Sequence, residues 1–128
     1  MKKILILFSV MLFLQSCQGT DDDNTATLAA EQALVQKKQA IKDYISTFSC
    51  AAANGCSSIA FGDKPCGGPR EYLVFSNAVN LVTLQNMVLE YNLLDKQNNI
   101  RTNAVSDCMY VNPPANIGCV NGICSIIN

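Results

Sequence analysis

The chain predicts a small α+β domain: two amphipathic helices packed on a short antiparallel sheet, with a C-terminal hairpin and disulfide staples. Three observations predict it. Two stretches carry apolar residues at helical spacing. Short apolar runs flanked by Gly, Pro and Asn read as strands, one pair of them joined by Asn121-Gly122. Six cysteines lie between positions 50 and 124 of a 128-residue chain.

Leu28 to Phe48 is the first predicted helix. Leu34, Ile41, Ile45 and Phe48 fall on one face, while Lys37, Lys38, Lys42 and Asp43 take the others. Alanines at 26, 29, 30, 33 and 40 favour helix, and Thr25 or Thr27 is a suitable cap for its start. Cys50 to Pro69 is irregular, punctuated by Asn54-Gly55, Gly62-Asp63, Lys64-Pro65 and Gly67-Gly68-Pro69. Within and after it, Ser58–Phe61 and Tyr72–Phe75 are short strands. Gly67-Gly68 lacks the lysine-serine ending of a phosphate loop, so the glycines serve backbone freedom beside Cys66.

The second helix runs from Asn80, its N-cap, to about Gln97, with Leu81, Leu84, Val88, Tyr91 and Leu94 as the apolar stripe widened by Met87. Asn98-Asn99 is expected to end it, and Asp95, Lys96 and Arg101 to face water. Cys108–Val111 reads as a strand stopped by Pro113-Pro114. Asn121-Gly122 between apolar residues is a strong short-range hairpin signal. It sets Cys119 opposite Cys124 in a non-hydrogen-bonded pair with Cα atoms about 4.5 Å apart, at the low end of the disulfide range. Two outcomes stay open: a Cys119–Cys124 bridge, or bridges from both to Cys108 or the central loop.

The N-terminus precedes this domain with different chemistry. Lys2 and Lys3 lead into Ile4–Leu14, an apolar run of eleven residues closed by Leu14-Gln15-Ser16-Cys17. Eleven is short of the about 20 residues needed to cross a bilayer, but suits the apolar part of a signal peptide. The segment resembles a bacterial lipoprotein signal peptide with its lipobox. That resemblance implies cleavage before Cys17, attachment of diacylglycerol to its sulfur and acylation of the new amino group. Two or more acyl chains suffice for stable anchoring. Gln18 in place of aspartate implies an outer-membrane destination. The expected organisation is therefore a signal peptide at 1–16, an acidic flexible tether at 17–27 and one disulfide-rich domain at 28–128. Asp21-Asp22-Asp23 in the tether keeps it solvated, and also resembles the acidic stretch that sends some Bacteroidota lipoproteins to the cell surface.

Cleavage before Cys17 would leave 112 of the 128 residues and shift the net charge from −1 to −3 by removing Lys2 and Lys3. No basic stripe remains, so nucleic acid is not an expected partner. Cys50, Cys56, Cys66, Cys108, Cys119 and Cys124 then form an even set, the mark of a disulfide framework in a small exported chain. Their intervals of 5, 9, 41, 10 and 4 residues, with no Cys-x-x-Cys and no histidine, argue against zinc.

Ile59-Ala60-Phe61-Gly62, Cys66-Gly67-Gly68-Pro69, Tyr72-Leu73-Val74-Phe75-Ser76, Glu90-Tyr91-Asn92, Ser106-Asp107-Cys108-Met109 and Cys119-Val120-Asn121-Gly122-x-Cys124 occur in that order. Together they resemble a family of small cysteine-rich bacterial envelope lipoproteins, over roughly Cys56 to Cys124. The resemblance implies a domain type and no catalytic residues. Where those proteins tend to carry an aromatic after Gly-Gly-Pro, this chain has Arg70.

The absence of histidine excludes Ser-His and Cys-His catalysis. Glu71, Glu90 and Asp107 are isolated along the chain, and no redox Cys-x-x-Cys occurs. The expectation is a non-enzyme without cofactor or metal: a binding or structural module of the envelope, held to the membrane through acylated Cys17, with an envelope or extracellular protein as partner. The alternative is an inhibitor of extracellular peptidases, presenting the disulfide-constrained loop around Cys66 with Lys64 or Arg70 as its basic anchor. Lys64-Pro65 weakens the first of these, since a bond before proline is a poor peptidase target.

Overall fold

A computed structural model describes residues 22–52 and 55–127. The lipobox and Cys17 lie outside the described residues. The element order is α1 (Asp22–Ser46), β1 (Cys56–Phe61), β2 (Glu71–Ser76), α2 (Leu81–Arg101), β3 (Ile117–Val120) and β4 (Ile123–Ile126). The strands form two separate antiparallel hairpins, β1–β2 and β3–β4. The α+β class with disulfide staples is therefore correct. No helix among the described residues is long and apolar enough to cross a membrane.

The helices run antiparallel, because the start of α1 meets the end of α2 through Arg101 and Thr27, and Tyr44 near the end of α1 donates to the Asn80 carbonyl at the start of α2. Strand alternation turns Ile59, Phe61, Leu73 and Phe75 toward the helices, with Ile59 directly opposite Leu73. They close the core with Ile41, Val79, Leu84, Val88 and Tyr91, flanked by Leu34, Tyr44, Ile45, Phe48 and Met87. All four residues of the expected α1 stripe thus pack on the core. Phe61 stacks on Tyr91 with ring centroids 4.1 Å apart, a contact worth about 1 kcal/mol beyond area burial.

Several boundaries differ from expectation. Among the described residues the first helix already runs from Asp22, ahead of Leu28, so part of the segment read as tether is helical and Thr25 and Thr27 are interior positions. The alanines at 26, 29, 30 and 33 favour helix in this stretch. Asn80 does cap α2, its side chain accepting from the Thr83 amide at 3.1 Å. The helix continues through Asn98-Asn99 to Arg101. Leu81 is exposed and the stripe is carried by Leu84, Val88 and Tyr91, then by Asp95 and Asn99, both buried. Cys108–Val111 is not a strand. Its path is set by the Cys108 bridge and by Lys64 bonding the Met109 carbonyl, and Pro113-Pro114 would remove ladder donors beside it.

The C-terminal hairpin forms as read. Asn121 and Gly122 have φ of 51° and 80°, the left-handed pair of a two-residue hairpin turn, and Cys119 faces Cys124. The two cysteines do not bridge each other. Cys119 joins Cys50 and Cys124 joins Cys56, with Cα separations of 5.8 and 5.7 Å, and Cys66 joins Cys108 at 5.3 Å. Bridging outward replaces a contact that the turn already secures with two that tie the hairpin to the rest of the chain. Accordingly β3 packs on β1 and β4 on β2.

Candidate functional site

Two features stand out: an open cleft beside the C-terminal hairpin, and a polar lock under the Gly62–Arg70 loop.

The cleft has a volume of about 510 Å³ and lies between the end of α1, strand β2 and the β3–β4 turn. Ile45, Phe48, Tyr72, Val74 and Ile123 give it apolar walls, and Lys42 stands at its edge with the hydroxyls of Ser46 and Ser49. Its walls are fixed. The Cys50 amide donates to the Gly122 carbonyl at 2.9 Å, Ser76 Oγ donates to the Ser49 carbonyl at 2.9 Å, and the Cys50–Cys119 bridge adds a covalent tie at the same corner. A fixed, mostly apolar concavity with a few polar groups is the usual form of a ligand or partner site. The Tyr72 phenol is pushed above its ordinary pKa, first by loss of hydration and then by the neighbouring Tyr110.

The polar lock begins with spacing on α2. Asn92, Asp95 and Asn99 are separated by three and four residues, so they line one helix face beneath the loop. Asn92 Oδ1 accepts from the Gly62 amide at 2.8 Å, and Asp95 Oδ2 from the Asp63 amide at 2.8 Å. Asn99 Nδ2 donates to the Asp63 carbonyl at 2.6 Å. Arg70 then grips Asp95 with two hydrogen bonds, Nε to Oδ2 at 2.7 Å and Nη2 to Oδ1 at 3.1 Å, and Nη2 also donates to Asn99 Oδ1 at 2.7 Å. The hydrogen bond to Asp95 raises the Arg70 pKa against the opposing effect of burial. Burial, then the Asp95 carboxylate, pushes the Tyr91 phenol up as well. Gly62 sits at φ +80°, and a Cβ there would lie 2.8–2.9 Å from the Arg70 side chain. Glycine at 62 thus leaves the corridor through which Arg70 reaches Asp95.

Asp95 was expected in water and is instead 4% exposed. Its burial is compensated by a two-pronged guanidinium partner plus a backbone amide. The signal in the sequence was the 84, 88, 91, 95, 99 progression, which carries the core face of α2 past its last apolar member.

Lys64 is buried at 9% exposure, paired with Asp107 and donating to the Met109 carbonyl at 2.9 Å. Of the two basic residues expected as peptidase anchors, Lys64 is therefore buried, and Arg70, although partly exposed, has its guanidinium engaged by Asp95 and Asn99. The exposed tip of the loop is Pro65, Cys66, Gly67 and Gly68, none with a long side chain. Glu71, Glu90 and Asp107 each pair with a different lysine, Lys38, Lys37 and Lys64 respectively, and no carboxylate dyad is formed among them. The sulfurs of Cys50, Cys56 and Cys124 lie within 4.8 Å of one another, a grouping in which every sulfur is committed to a disulfide. Comparison of the chain with protein-family models, with curated proteins and with solved structures returns no match.

Proposed function

We propose that this chain is a lipid-anchored module of a bacterial cell envelope with a non-catalytic binding or structural role. Residues 1–16 act as its signal peptide, Cys17 is the acylated first residue of the mature protein, and the outer membrane is the destination. The observation that carries the reading is the basic pair, the eleven-residue apolar run and Leu14-Gln15-Ser16-Cys17 in immediate succession. Three disulfides support it, because such bridges persist in oxidising compartments and are rare in the cytosol. The cleft between α1, β2 and the C-terminal hairpin is the surface on which a partner docks.

The peptidase-inhibitor reading keeps its constrained loop but loses its anchors, since Lys64 and Arg70 are engaged below the loop. Fractionation tests the anchored reading. The full chain is expected in the membrane fraction, and Cys17→Ser is expected to leave the precursor uncleaved and unlabelled by radioactive palmitate. Equal palmitate labelling of both chains, or of neither, would remove lipidation at Cys17 from the account.

A further inference from the structure

Helix α2 carries a second apolar stripe that the domain does not use. Val82, Leu89, Leu93 and Ile100 are 67%, 57%, 52% and 70% exposed. At 100° per residue they fall within about 20° of a single line on the helix. The line runs about 27 Å along the axis, on the side away from Leu84, Val88, Tyr91, Asp95 and Asn99. Its spacing of 7, 4 and 7 residues matches four of six consecutive seam positions in a two-helix coiled coil, and exposed Asn86 and Lys96 occupy the other two.

Read in either direction the seam has the same pattern: aliphatic, polar, leucine, leucine, polar, aliphatic. A two-fold axis at the level of Tyr91 therefore matches it to itself. Val82 meets Ile100 of the other copy, Leu89 meets Leu93, and Asn86 meets Lys96. An isologous contact demands such self-complementarity. The polar pair also indicates which occupant is suited. Hydrocarbon would leave Lys96 and Asn86 without partners at a cost, whereas a second copy offers each Lys96 ammonium an Asn86 side-chain carbonyl. Glu90, beside the seam, is already neutralised by Lys37 at 2.9 Å, which reduces repulsion between the two Glu90 carboxylates near the axis.

We infer that α2 pairs with α2 of a second copy of this chain, antiparallel, along Val82, Leu89, Leu93 and Ile100. The test uses the full chain in intact cells, with a photo-crosslinking amino acid at Val82. Illumination is expected to give a band at twice the chain mass, with the linked peptide containing Ile100. Leu89→Lys is expected to lower that band at least tenfold, because two lysines then enter the apolar centre. Leu89→Lys combined with Leu93→Glu is expected to restore it, since the antiparallel register sets each new lysine against a new glutamate. These positions are exposed, and retention of three disulfides on a non-reducing gel checks the fold. A monomer band alone, adducts to lipid or to another protein, or failure of the double variant to regain the dimer would each overturn the proposal.

Discussion

Replacing Cys50, Cys56, Cys119 and Cys124 together by alanine is expected to cost about 7 kcal/mol, while removing only the Cys56–Cys124 pair costs about 3 kcal/mol. The asymmetry follows from the loops. The two bridges span 69 and 68 residues, and because Cys66–Cys108 short-circuits both spans, either alone closes nearly the same loop of the unfolded chain. Once one is in place, the other closes only the short circuit formed by 50–56 and 119–124. Loop entropy for the large closure is about 4 kcal/mol and for the small one about 3 kcal/mol. Set against a typical stability of about 5–15 kcal/mol, loss of one bridge leaves a folded domain. Loss of both leaves the β3–β4 hairpin held by little more than the Cys50 amide and side-chain packing. Urea unfolding followed by circular dichroism reads both variants. Equal costs for the single and double removals would refute the shared-loop explanation.

Arg70→Met is expected to destabilise the domain by about 2–3 kcal/mol. Removing one partner of a buried pair costs about 3–5 kcal/mol because the other charge is left uncompensated. Asp95 is the buried member here, whereas the Arg70 side chain is 41% exposed, so water moderates the penalty. The melting temperature should fall by roughly 10–15 °C. Arg70→Met with Asp95→Leu should recover most of the loss, since an apolar pair of similar volume carries no desolvation cost. The Asp63 amide then lacks its carboxylate acceptor, which keeps recovery incomplete. A double variant no more stable than the single one would show that Arg70 acts through packing over Gly62 and not through Asp95.

What could be read from the chain was what local rules determine. Leu34, Ile41, Ile45 and Phe48 announced the buried face of α1 through spacing alone, and Asn80 its capping role through residue type. The Asn121-Gly122 turn was legible because both residues tolerate positive φ. Long-range pairing was not. Facing one another in the hairpin left Cys119 and Cys124 two geometrically sound fates, and the choice depended on where Cys50 and Cys56 would be, some seventy residues away. Asp95 looked like a surface charge because its partner Arg70 sits 25 residues earlier, beyond a loop of irregular backbone. Cys108–Val111 had strand composition, but the Cys108 bridge and the Lys64 bond to the Met109 carbonyl set its path instead of strand pairing. Asn99 stayed helical because its side chain bonds Asp63 and Arg70 instead of competing for its own backbone.

The burial of Lys64 and the pairing of Arg70 with Asp95 also change the meaning of the glycine-rich loop. Glycine at 62 permits Arg70 to pass, and Cys66 pins the tip to Cys108. The loop is thus fastened from below by α2 and from the side by the 106–109 segment, a structural use of residues that resembled an exposed recognition element.

Intact-mass and peptide mass spectrometry of the protein isolated from the cells that produce it, without reduction, tests the central claim most directly. The account predicts a mature chain beginning at Cys17 and carrying acyl chains on it. It also predicts Cys50–Cys119, Cys56–Cys124 and Cys66–Cys108 as the linked peptides, with no free thiol. An unmodified Cys17 within an uncleaved chain, or free thiols among the other six cysteines, would contradict it.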